Sequence, residues 1–175
     1  MSVIASGNTV TTGFTVNSDA TGNLVFTTSG ANTVAVTIAS NQTTAFAAAV
    51  IEKANATATA MGANVVYDVL TQPILYYTAN ATANTTINFR GNSTTTLNSM
   101  LANNQSVSVV FMNTNGAVAY YPTVFQVDGA AVTPKWQGGS APTSGNTLSI
   151  DVYVFSLIKT ANATYTVLAS QSQFK

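Results

Sequence analysis

Leu148-Ser149-Ile150-Asp151-Val152-Tyr153-Val154-Phe155-Ser156-Leu157-Ile158 is the stretch on which the fold class turns. Leu148, Ile150, Val152 and Val154 fall on one side of an extended chain, Asp151, Tyr153 and Phe155 on the other. A period of two in β-branched and aromatic residues is the signature of a strand. Working outward, similar segments predict strands at residues 65–70, 74–77, 85–90, 106–112, 123–127 and 164–169. Between two of them, Leu97, Met100 and Leu101 stand at i, i+3, i+4 behind Thr capping candidates, which predicts one short helix ending near Asn103-Asn104. About seven strands in roughly 110 residues predict an all-β fold, an antiparallel β-sandwich or jelly-roll-like domain.

That domain is assigned to residues 64–175. Residues 1–50 read as a smaller β-rich module. Val10, Phe14 and Val16 sit among Thr residues, Leu24-Val25-Phe26-Thr27-Thr28 follows the turn from Asp19 to Asn23, and Val34, Val36 and Ile38 alternate with small residues. Each segment offers too few core residues for an independent sheet, so it packs on the rest of the chain or on sister chains. Two hairpins of a single sandwich is the competing reading. The Ala-rich run from about Thr43 to Gly62 favours a helix by propensity, weakened by Thr57 and Thr59. Residues 51–63 are therefore expected to be a short helix or a linker.

Composition narrows the chemistry. Of 175 residues, 6% are charged, against about 25% in an ordinary soluble protein, and five Lys+Arg balance five Asp+Glu. The polar surface must come from Thr, Asn and Ser. A net charge of zero offers no footprint for phosphate backbones, so no nucleic-acid partner is expected. So few charges also give a lone monomer little colloidal protection, which favours life inside an assembly. Without Cys or His there is no disulfide, thiolate nucleophile, Ser-His-Asp triad or ordinary zinc site. Met1-Ser2-Val3-Ile4-Ala5 lacks the features of a signal peptide, and the apolar run from Ala45 to Ile51 is too short to span a bilayer. A cytoplasmically made chain without membrane insertion is expected.

The five acids are Asp19, Glu52, Asp68, Asp128 and Asp151. Paired-carboxylate hydrolysis needs two at a set separation, and turns or ion pairs are the plainer roles. No calcium-type Asp-x-Asp-x-Asp loop occurs. Gly138, Gly139 and Gly145 lie in a loop without the Lys-Ser/Thr of a phosphate cradle, and read as a tight turn. No catalytic, cofactor-binding or metal residue is therefore expected. The aromatics carry more. Tyr76-Tyr77 and Tyr120-Tyr121 are adjacent pairs, each predicted to send one ring inward and one outward. Trp136, the one Trp, stands beside a Gly-rich loop. It either plugs one end of the sandwich or, with Tyr120 and Tyr121, contacts a partner protein or a host glycan.

The stretch Tyr120-Tyr121-Pro122, the run from Asp128 through Trp136-Gln137-Gly138-Gly139 to Pro142, and Asp151-Val152-Tyr153-Val154-Phe155 together resemble the C-terminal domain of fibre-like virion proteins. Such proteins occur in tailed phages of marine bacteria and cyanobacteria. Arg90-Gly91-Asn92-Ser93 resembles the same domain, and Gly22-Asn23-Leu24-Val25-Phe26 the repetitive β segments that lead into it. The resemblance implies a non-enzymatic virion structural protein, homotrimeric, without a cofactor, made in the host cytoplasm and joined to other virion proteins. Residues 1–50 would attach or intertwine the subunits. Only about 50 residues precede the C-terminal domain, too few for a long shaft. A capsid decoration protein and a host-glycan-binding recognition module are the alternatives.

Overall fold

Extended segments dominate the computed structural model, which describes residues 22–28 and 33–175. The chain divides into two compact units, Met1–Ile51 and Glu52–Lys175. In the first, β1 (Leu24–Thr28), β2 (Thr33–Ile38) and β3 (Thr44–Phe46) form an antiparallel sheet in the order β1-β2-β3. β1 and β2 lie where their alternation places them. The elements expected around Val10, Phe14, Val16 and Asp19 lie outside the described residues.

The Ala-rich run is not helical. It contains β3, an exposed connection and β4 (Ala54–Ala60), the first strand of the second unit. The reason is tertiary. A helix here would have little to bury, and helix propensity alone does not repay nucleation in water. As a strand the same residues pair their backbone with β6 (Ile74–Asn80), in the register Ala54 to Ile74 and Ala56 to Tyr76.

The second unit continues with β5 (Asn64–Asp68), β7 (Thr85–Arg90), α1 (Leu97–Met100), β8 (Ser106–Asn115), β9 (Pro122–Val127), β10 (Ala130–Ala131), β11 (Lys135–Trp136), β12 (Ser149–Ala161) and β13 (Thr164–Phe174). Six strands form one sheet in the order β11-β13-β12-β8-β6-β4, and four form another, β10-β9-β7-β5. The fold is all-β and sandwich-like. It differs from the expected antiparallel arrangement in one respect: β4/β6, β6/β8, β5/β7, β7/β9 and β11/β13 pair in parallel. From β4 to β9 each strand joins the sheet its predecessor did not, so the chain coils around the core. Every turn of that coil lays down one more strand per sheet in the same direction, which makes parallel neighbours unavoidable.

The core lies between the sheets. β12 buries Asp151, Tyr153, Phe155, Leu157 and Lys159 and turns Ile150, Val152, Val154 and Ile158 outward. The aromatic set thus wins the interior over the aliphatic one. Phe155 sits at the centre, its ring 5.0 Å from Phe89 and 5.5 Å from Phe125. Tyr67 crosses the core and donates its hydroxyl to the Pro73 carbonyl at 2.7 Å and the Val110 carbonyl at 2.9 Å, tying β5 to the opposite sheet. Phe155→Ala is expected to cost about 3–5 kcal/mol in urea unfolding, the range for deleting a buried ring. Val66→Ala, at an exposed position on β5, should stay within about 0.5 kcal/mol.

Candidate functional site

Charged side chains are scarce, so their placement is informative. Asp151 is fully buried and meets no cation. Its carboxylate accepts from the Asn146 N–H at 2.9 Å, Asn146 Nδ2 at 2.7 Å, Asn115 Nδ2 at 3.1 Å and Gln171 Nε2 at 3.4 Å. Asn115 Oδ1 in turn accepts from the Tyr120 N–H at 3.0 Å. The loop before β12 fits against this cluster because Gly145 lacks a side chain: a Cβ there would stand 2.5 Å from the Tyr120 carbonyl oxygen.

At the other end of β12, Lys159 Nζ donates to the Asn98 carbonyl at 2.6 Å and the Leu101 carbonyl at 2.8 Å. It thereby closes the C-terminal end of α1. The N-terminal end is closed by Asp128, whose two oxygens accept from the Leu97 and Asn98 N–H groups at 2.7 and 2.9 Å, and by Thr96 Oγ1, which accepts from Ser99 N–H at 3.0 Å. A four-residue helix cannot nucleate by itself. This one exists because an acidic side chain from a distant turn and a basic one from a distant strand satisfy its free backbone groups in the sense of the helix dipole. Thr96 was legible as a cap; Asp128 and Lys159 were not, being about 30 and 60 residues away. Asp68 is paired with Arg90, at 2.6 Å from its Nε. The oxygens of Asp68, Asp128 and Asp151 are all engaged in holding the structure. Among the described residues no three His, Cys, Asp or Glu side chains converge as metal ligands would.

Trp136 is half-buried, in contact with the core. Its ring lies 5.7 Å from Phe125, 6.3 Å from Phe155 and 6.5 Å from Tyr153, all edge-to-face. It plugs the sandwich at the short edge strand β11. A polar recess beside it is lined by Gln137, Ser140, Pro142, Gln171 and Ser172, and neither Tyr120 nor Tyr121 borders it. Tyr120 and Tyr121 both pack against the core, which corrects the expected inward-outward split. They lie in the irregular connection before β9, where the Tyr121 N–H donates to Asn84 Oδ1, and strand alternation does not apply. For Tyr76 and Tyr77 the split holds: Tyr77 packs on the core with Phe111, and Tyr76 accepts from Thr114 Oγ1. The chain matches no protein-family model, no curated protein and no solved structure.

Two predictions follow from the buried polar groups. Asp151→Asn keeps the shape but replaces one accepting oxygen by an NH2 donor that faces other donors, and should cost about 1–3 kcal/mol in chemical denaturation. The second concerns alkali. Burial and then the Asp128 carboxylate push the Tyr165 hydroxyl from its ordinary 10.0 to about 12, and burial drives Tyr67 and Tyr153 higher still. The unfolded chain therefore holds fewer protons than the folded one above pH 10, so the stability these tyrosines contribute should be lost steadily as the pH rises from 10 to 12. Tyrosinate absorbance at 295 nm (the wavelength at which ionised phenol is read) should rise in two phases, the later one coinciding with loss of circular dichroism. A single phase with the fold intact would contradict it.

Proposed function

We propose that this chain is a non-enzymatic structural protein of a phage particle: a short, homotrimeric, fibre-like or appendage component that binds copies of itself and other virion proteins. The observation that supports this reading is the use of charge. Asp128, Asp151 and Lys159 are engaged in internal hydrogen bonds, and Asp68 and Arg90 pair with each other. Among the described residues only Glu52, Lys53, Lys135 and Lys175 remain as exposed charges, so most of the exterior is left to Thr, Asn, Ser and apolar side chains. An exterior of that kind suits a protein whose surface is shared with neighbours. General acid-base chemistry at Asp128 or Asp151 would have to break the hydrogen bonds that hold α1 or the loop before β12. A capsid decoration protein would need the same properties and shares this support.

A host-glycan-binding role would rest on the polar recess beside Trp136 and would leave the assembly reading unchanged. The assembly reading is tested by the mass of the full chain in solution, measured by light scattering over a range of concentrations. A stable mass three times the 18.0 kDa of one chain is expected. A monomer at every concentration would remove it. Labelling of purified particles by an antibody against the protein tests the location.

A further inference from the structure

The two sheets treat their outer faces differently. The four-stranded sheet presents a mixed face, with Val66 and Val124 set among Asn64, Asp68, Thr86, Asn88, Arg90 and Gln126, as a sandwich face in water can. The six-stranded sheet does not. Its register aligns Ile74, Val110 and Val154 in one outward row and Tyr76, Met112 and Val152 in the next. Ile150 and Leu168 extend the patch, and Val154 and Leu168 are 40% and 45% exposed. The outward positions of β4, β6, β8, β12 and β13 carry no charged side chain; Asp151 and Lys159, the charges of β12, point into the core. The first charge in this direction is Lys135, on the edge strand β11.

We propose that this face packs against the same face of the other copies of the chain, gathered about the three-fold axis of the trimer. The inference deepens the self-assembly reading above and rests on it. At about 4.8 Å between strands and 3.4 Å per residue, the patch covers roughly 500 Å² in projection, and accessible area exceeds projection where side chains protrude. That approaches the roughly 800 Å² each partner contributes to a standard interface. An uncharged face offers no charge pattern by which a foreign partner would be selected, and a chain of zero net charge does not repel its own copies. Sheets of identical twist can meet about a common three-fold axis, each turning its face toward those of its copies. Ser108, Ser156 and Ser170 lie between the larger outward side chains and leave hollows for their counterparts.

The test compares the full chain with Val154→Lys and Met112→Lys on this face and Val66→Lys on the outer face of the other sheet. The wild type and Val66→Lys should show a multi-subunit mass. The two face variants should fall to the 18.0 kDa of one chain, with circular dichroism unchanged. If all variants assemble as the wild type does, the face is not the interface and this inference is overturned while self-assembly stands. If the wild type is itself monomeric, the assembly reading falls and takes this one with it. A measurement independent of the lysine variants uses the absence of Cys. The thiol of Val154→Cys should react with a maleimide at least about tenfold more slowly in the assembled protein than that of Val66→Cys. Equal rates, or protection of Val154→Cys in a monomer, would overturn the proposal, the latter by showing that the chain covers this face itself.

Discussion

Everything in the second unit depends on the inward face of β12, which carries a carboxylate at one end, an ammonium at the other, and aromatic rings between them. Neither charge meets its opposite. Asp151 is held by four amide hydrogen bonds and Lys159 by two backbone carbonyls. A buried charge left without such partners costs several kcal/mol, so each one recruits whatever chain supplies them. Asp151 recruits the loop before β12 and the end of β8. Lys159 recruits α1, which Asp128 holds from the other side. Both ends of the sandwich are thus closed by polar residues of one strand, while Phe155 and Tyr153 between them gather Phe89, Phe111, Phe125 and Trp136.

Much of this was legible from residue order alone, and what was not has physical reasons. Strand positions follow from a local period, so β5 to β9, β12 and β13 lie close to where alternation placed them. The short helix was visible in Leu97, Met100 and Leu101. Strand partners were not visible, because a period of two says which residues share a side and nothing about which strand lies beside them. The parallel pairs between β4 and β9 come from the coiling path, a property of connections and not of any strand. Nor does alternation say which side is inside. On β12 both sets are apolar enough to be buried, and the outcome was decided by partners elsewhere: Asn115 and Asn146 for Asp151, Phe89 and Phe125 for Phe155. Propensity misread the Ala-rich run for a related reason. β4 is extended because β6 offers it a backbone ladder, which no property of Ala54–Ala60 announces.

The candidate site was less legible than the fold. Trp136 was singled out as the one Trp beside a Gly-rich loop, with plugging the sandwich as one of its two readings, and its ring packs on the core. Tyr120 and Tyr121 were read as strand residues and belong to a connection. Asp128, read as a turn residue, does stand at positive φ in a tight turn, yet its carboxylate also builds a helix end. A side chain with a local role conceals a distant one.

The inversion on β12 connects the fold to the surface. Had the aliphatic set been buried, Asp151, Tyr153 and Lys159 would have faced water and the outer face would have been an ordinary solvated one. Burying the aromatic and charged set instead places Ile150, Val152 and Val154 outside. The same choice that fixes the two ends of the sandwich therefore strips the outer face of charge. Edge strands argue in the same direction. β4 lies at the end of the six-stranded sheet with only Ala, Asn and Thr along its length, none of the Lys or Pro that usually guard an open edge. An edge needs such guards when it meets solvent and arbitrary neighbours. If a copy of the sheet covers the adjacent face, the edge becomes the rim of an interface, and its approach by other chains is limited by the partner already in place. Face and edge are then one design, in which assembly takes over the protective role that surface charge has in an ordinary monomer.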